Sequence, residues 1–224
     1  MVGHPFLDAA GSVCGSLLPT GNAVDHIAGV DVTLIDNGMP VVVFEAAAVG
    51  RTGYEERDML DKDTELKTRL EEIRLEAGKL MGLGDVSTKV IPKMLLVAPA
   101  AAGGHVCTRS FIPRECHASI GVFAAASVAT ACMLPGSPAS RVAKIPPGRE
   151  KTFSVEHPTG EFSLRIEVGG TEQNPVVERI GLLRTARLLF EGYAFAHEHL
   201  AAPLSKTNGD VTEHLDRHSL SRQR

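Results

Sequence analysis

Cys116-His-Ala-Ser-Ile-Gly-Val-Phe-Ala-Ala-Ala-Ser-Val-Ala-Thr-Ala-Cys-Met-Leu134 runs for nineteen residues without an Asp, Glu, Lys or Arg. The stretch just reaches the length of a membrane span. Yet only Ile120, Val122, Phe123, Val128, Met133 and Leu134 are strongly apolar, and His117, Ser119, Ser127 and Thr130 interrupt them. The pattern predicts instead a helix inside a water-soluble protein, starting after Pro113 and stopping at Pro135-Gly136. A helix that is apolar or small all round must be enclosed all round. Six alanines and Gly121 let neighbours approach closely, and a sheet curled around the helix is the natural container.

Upstream and downstream, the sequence supplies such a sheet. Residues 30–35 alternate and 41–44 are a continuous apolar run, with Asn37-Gly38 between them: a hairpin. Residues 63–80 carry Leu66, Leu70, Ile73, Ala77 and Leu80 at helical spacing, which predicts an outer helix capped by Asp61 or Asp63 and ended by glycines 78, 82 or 84. Lys93–Ala98 and Val106–Phe111 read as strands. Phe153 and Val155, then Phe162, Leu164, Ile166 and Val168, make a second hairpin across the His157-Pro-Thr-Gly160 turn. Residues 180–183 and 188–195 are weaker strands. The sum is an α+β architecture.

Composition removes several function classes. With 27 acids against 23 bases the net charge is −4, so nothing would release phosphate counterions and nucleic acid is not an expected partner. Ten aromatic residues and no Trp leave no stacking surface. The first residues, Met1-Val-Gly-His-Pro-Phe6, have neither a basic nor an apolar signal region. Four scattered cysteines without a C-x-x-C pair predict reduced thiols in the cytoplasm.

Five segments then occur in order: Cys14-Gly-Ser-Leu-Leu-Pro-Thr-Gly-Asn22; Ile35-Asp-Asn-Gly-Met-Pro40; Arg109-Ser-Phe-Ile-Pro113 with Cys116-His-Ala-Ser-Ile-Gly121; His157-Pro-Thr-Gly160; and Arg184-Thr-Ala-Arg-Leu-Leu-Phe-Glu-Gly192. Together they resemble the C-terminal half of the 2-methylaconitate isomerase (PrpF) family, most closely its 4-oxalomesaconate tautomerase branch. The resemblance implies a diaminopimelate-epimerase-like fold, a mixed β-sheet barrel around a central apolar helix. It also implies cofactor-independent proton transfer on a small polycarboxylate, in a cleft between two similar halves. Residues 1–29 are then an inter-half segment and loop, 30–196 the second domain, and 197–224 a poorly ordered polar tail. The family's upstream half, with its catalytic Cys and Lys, has no counterpart here. A separate first half or a second copy of this chain is therefore the expected partner. A different reading is an inactive binding or assembly module.

The candidate residues follow from the helix and the resemblance. Cys116, His117 and Ser119 are expected to open the enclosed helix, where free N–H groups and the positive dipole end would cradle a carboxylate. The same dipole would favour thiolate at Cys116 and a neutral imidazole at His117. The resemblance implies that His117 stands at the second-half catalytic position, with Cys116 beside it. Asn37, Gly38 and Met39, with Thr20 and Asn22, are expected to approach the substrate, and Arg109, Lys93 and Arg184 to clamp carboxylates. His197-Glu198-His199 and His214/His218 lack a third ligand in matching context, so no metal is expected.

Overall fold

The Asn37-Gly38 turn closes its hairpin as the sequence predicts. Val30–Asp36 (β3) and Pro40–Glu45 (β4) pair antiparallel, with Thr33 opposite Val43 and Asp36 opposite Pro40. Gly38 has φ of +89°, and the Phe123 ring fills the space that a Cβ there would need, so only glycine fits.

The protein is seen in a computed structural model that describes residues 2–6, 9–171, 175–184 and 189. Residues 1–186 form one unit. Its further strands are Val2–Phe6 (β1), Asp25–Ile27 (β2), Lys93–Ala98 (β5), Val106–Phe111 (β6), Glu150–His157 (β7), Gly160–Gly170 (β8) and Pro175–Arg184 (β9). Among the described residues these make one sheet in the order β1-β9-β8-β7-β6-β5-β4-β3-β2, parallel only at β4–β5 and β6–β7. A parallel join needs a long crossover, usually helical. Arg57–Lys62 (α1) and Thr64–Leu80 (α2) supply the first; Val122–Met133 (α3) and Pro138–Val142 (α4) supply the second.

The two crossovers lie on opposite faces of the sheet. Leu66, Leu70, Ile73 and Ala77 of α2 pack with Val42, Phe44, Met94 and Leu96. On the other face, Ala124, Ala125, Val128 and Ala129 of α3 pack with Val41, Val43, Leu95, Phe153, Leu164 and Ile180. This two-sided cover explains why residues 41–44 are apolar without alternation. α3 touches β3 and β4 near one end of the strand order and β7, β8 and β9 toward the other, so the sheet curls around it. Among the described residues no helix is long and apolar enough to cross a membrane.

Asp63, not Asp61, caps α2, accepting from the Leu66 N–H at 2.9 Å. At its other end the Gly82 N–H donates to the Lys79 carbonyl and the Leu83 N–H to the Gly78 carbonyl, a Schellman closure with Gly82 at φ +72°.

Two expectations are corrected. Residues 1–29, expected as a segment and loop, contain two strands: β1 pairs with β9 and β2 with β3, and they stand at the two ends of the strand order. And the enclosed helix starts at Val122, with Gly121 at its N-cap, six residues after Cys116. The backbone of 112–119 is held elsewhere: Cys116 bridges to Phe111, the His117 N–H donates to the Ser110 carbonyl at 2.7 Å, and the Ile112 N–H to the Glu115 carbonyl. The strand proposed at 188–195, apart from Leu189, and the tail beyond 196 lie outside the described residues.

Candidate active site

Two turns meet beside the start of α3. In the first, the Ser119 N–H donates to Nδ1 of His117 at 2.9 Å. The second joins β7 to β8, and there the Thr159 N–H reaches Nδ1 of His157 at 3.4 Å. Between them, Ser119 Oγ lies 3.3 Å from His157 Nε2, and Thr159 Oγ1 donates to the Ala118 carbonyl at 2.9 Å. Burial, with the nearby His117 and Arg109 charges, holds the His157 pKa below its ordinary value, although Glu161 opposes the shift. Sequence reasoning missed His157 and Thr159 as site residues. The signal was present: both turns read His-x-Ser/Thr, as His117-Ala-Ser119 and His157-Pro-Thr159.

Lys93 begins β5 on the α3 side of the sheet, since Leu95, two residues on, belongs to the core around α3. Its Nζ lies 4.0 Å from where a Cβ on Gly121 would stand, at the mouth of the helix. Among the described residues no ion pair or hydrogen bond holds this half-buried ammonium, and burial lowers its pKa. Ser110 faces Leu95 across β5–β6, so it shares that inner face and is a diagonal neighbour of Lys93. Its hydroxyl, on a residue only 2% exposed, is buried without a hydrogen-bond partner among the described residues. Gly121 has no side chain to cap α3. A cation and a helix N-terminus thus meet where a carboxylate could sit, with a buried hydroxyl on the neighbouring strand.

The remaining candidates divide. Cys116 and His117 line a cavity of about 390 Å³ with Arg57, Ile112, Glu115 and Ala118. Burial and the nearby Asp61 push the Cys116 thiol up to about 11, and its N–H donates to Asp61 Oδ1 at 2.6 Å. The expected thiolate is therefore replaced by a protonated thiol, because the helix end that would have stabilised it begins six residues later. Arg109 is directed away from Lys93, on the same side of β6 as Cys107. Its Nε donates to the Glu55 carbonyl at 2.8 Å and its Nη1 to the Thr108 carbonyl at 2.9 Å. It braces the 53–55 loop and borders a second cavity, of about 440 Å³, with Tyr54, Glu156 and His157.

Asn37 donates to Thr130 Oγ1 at 3.0 Å, Met39 packs on the inner core, and Gly38 abuts Phe123 at the first turn of α3. These three fasten the hairpin turn to the helix. Thr20 and Asn22 both donate to the Asp25 carboxylate, at 2.7 and 2.8 Å, and shape their own loop. The Arg184 side chain and the histidines at 197, 199, 214 and 218 lie outside the described residues. Among the described residues no three His, Cys, Asp or Glu side chains converge as a metal site would require.

The fold is one already known. The crystal structure of methylitaconate-delta-isomerase aligns over 90% of this chain and 57% of its own, with a TM-score of 0.70 at 24% identity, so the epimerase-like architecture is shared. Residues 2–197 match the family model described as PrpF protein, and the chain belongs to that family. It is 60% identical over 190 residues to a (4E)-oxalomesaconate Delta-isomerase from a Novosphingobium species, covering 85% of this chain and 52% of the relative. It is 54% identical over 187 residues to a 4-oxalomesaconate tautomerase of Pseudomonas putida, covering 84% and 51%. The chain thus spans about half the length of the curated relatives it matches.

Proposed function

We propose that this chain forms one wall of the active site of an isomerase that moves a proton within a small unsaturated polycarboxylate of the 4-oxalomesaconate kind, without a cofactor. The reading is supported above all by Lys93, a half-buried ammonium with no partner among the described residues, standing at the uncapped start of α3 beside the unpartnered Ser110 hydroxyl. Removing a proton from carbon leaves a dienolate whose charge collects on carboxylate and keto oxygens. A preorganised cation and helix terminus stabilise that charge as it forms. The names of the two oxalomesaconate relatives supply the substrate class.

In this proposal Lys93, Ser110 and the α3 terminus hold one carboxylate, and His117 and Ser119 act at its neighbour. Cys116 lines the His117 cavity as a neutral thiol. The opposite wall, with a further acid–base pair, comes from a separate first half or a second copy of the chain. All four cysteines are free, which suits a reducing cytoplasm.

Calorimetric titration of the chain with tricarballylate, a stable tricarboxylate, tests the carboxylate wall. The wild-type chain should bind it, and Lys93→Met should weaken binding by about tenfold or more, roughly 1.4 kcal/mol. The variant should melt no lower, because a desolvated charge is replaced by an apolar chain of similar length. Equal affinities, or no binding by the wild type, would overturn the reading.

A further inference from the structure

We infer that His117 meets its ligand as a hydrogen-bond donor through Nε2–H, and that His157 is the positioning residue that keeps it so. The donor role rests on reading the 117–119 turn as part of the substrate site; the geometry behind it does not.

A backbone N–H can only donate. Nδ1 of His117 faces the Ser119 N–H at 2.9 Å and must accept, so the proton of the neutral ring sits on Nε2. His117 also lines the 390 Å³ cavity, with Arg57, Glu115 and Cys116. An Nε2–H on this ring is a donor suited to a carboxylate or an enolate oxygen. A neutral imidazole used in this way polarises an oxygen and does not take a proton from carbon. In this role His117 stabilises charge, and proton abstraction falls to another group.

His157 makes the same local bond. Its Nδ1 lies 3.4 Å from the Thr159 nitrogen and 3.3 Å from Thr159 Oγ1; in the tautomer whose Nδ1 accepts from the Thr159 N–H, Nε2–H donates to Ser119 Oγ at 3.3 Å. The Thr159 hydroxyl, donating to the Ala118 carbonyl, ties the two turns a second time. A chain runs from His157 Nε2–H to Ser119 Oγ, and from the Ser119 N–H to His117 Nδ1. A proton added to Nδ1 of His117 would point an N–H at an N–H and break the chain. Glu161, Arg109 and His117 are the charged groups that act on His157, with Glu156 and Tyr54 across the adjoining cavity.

The test needs no substrate. Long-range proton–nitrogen correlation spectra of the full nitrogen-15-labelled chain, at about pH 8 and above the imidazole range, report the tautomer of each histidine. His117 and His157 should each show Nε2–H alone. Ser119→Ala, which keeps the backbone N–H but removes the link to His157, should turn the His117 signal into a mixture of tautomers. His157→Ala should do the same, and His157→Gln, which can still donate to Ser119, should restore the single form. An Nδ1–H signal for wild-type His117 would overturn the donor role. A His117 tautomer indifferent to Ser119→Ala would overturn the positioning role. Either result leaves the tricarballylate titration, and the function proposed from it, standing.

Discussion

Glu156 stands on the opposite side of β7 from the Val155 that packs on α3, and its carboxylate is enclosed. It accepts N–H groups from Ala101, Ala102 and Gly104 at 2.7–2.8 Å, which folds the 101–104 loop over the strand. Burial alone would raise its pKa, but the three donors hold it below the usual carboxylate range. A carboxyl with a depressed folded-state pKa adds stability above its unfolded value and loses it as pH falls toward the folded one. Glu156→Gln should therefore cost about 2 kcal/mol at neutral pH in urea denaturation, and the difference from wild type should shrink as pH drops below about 4. A constant difference down to the acid transition would contradict this account. At this scale the sequence was legible where chemistry is local, as in the His-x-Ser turn. It was not legible at Cys116, whose reactivity depends on where the chain leaves β6, or at Arg109. Neighbours on both sides of β6 are buried, so no alternation marked which way the guanidinium would face.

Among the elements, α3 was readable from composition, and its enclosure follows from the lack of any polar stripe. Its true start was not readable, because Ser110, Phe111 and Asp61, which hold the backbone of 116–117, are remote in sequence or lie across a turn. Tight enclosure has a measurable consequence. Ala129 is fully buried among strands on several sides, so Ala129→Leu should overpack the core and cost about 1–3 kcal/mol, seen as a lower melting temperature. The reverse change at an exposed position, Leu80→Ala, should leave the melting temperature within a degree or two, roughly the scale of a surface substitution. An unaffected Ala129→Leu would mean that the sheet yields around the helix.

For the whole molecule, the strand inventory was legible and the strand order was not. Nothing local in residues 2–6 points to residues 175–184, yet those segments pair as β1 and β9. The order places β4 and β5 between two helical layers, with apolar side chains on both faces. Amide exchange should therefore be slowest in β4 and β5 and fastest in the edge strands β1 and β2. Fast exchange at Val42 or Leu96 would contradict the two-layer core.

The β1–β9 pairing also bears on how the chain is made. Phe6 leaves the ribosome long before Ile180, its partner, has been synthesised. At about 5–20 residues per second that wait is roughly ten to forty seconds. Throughout it the nascent sheet has no terminal strand pair, and its closure is a late, long-range event of the slow kind. A chaperone that shields the waiting segment during translation would thus act on the step that joins β1 to the sheet.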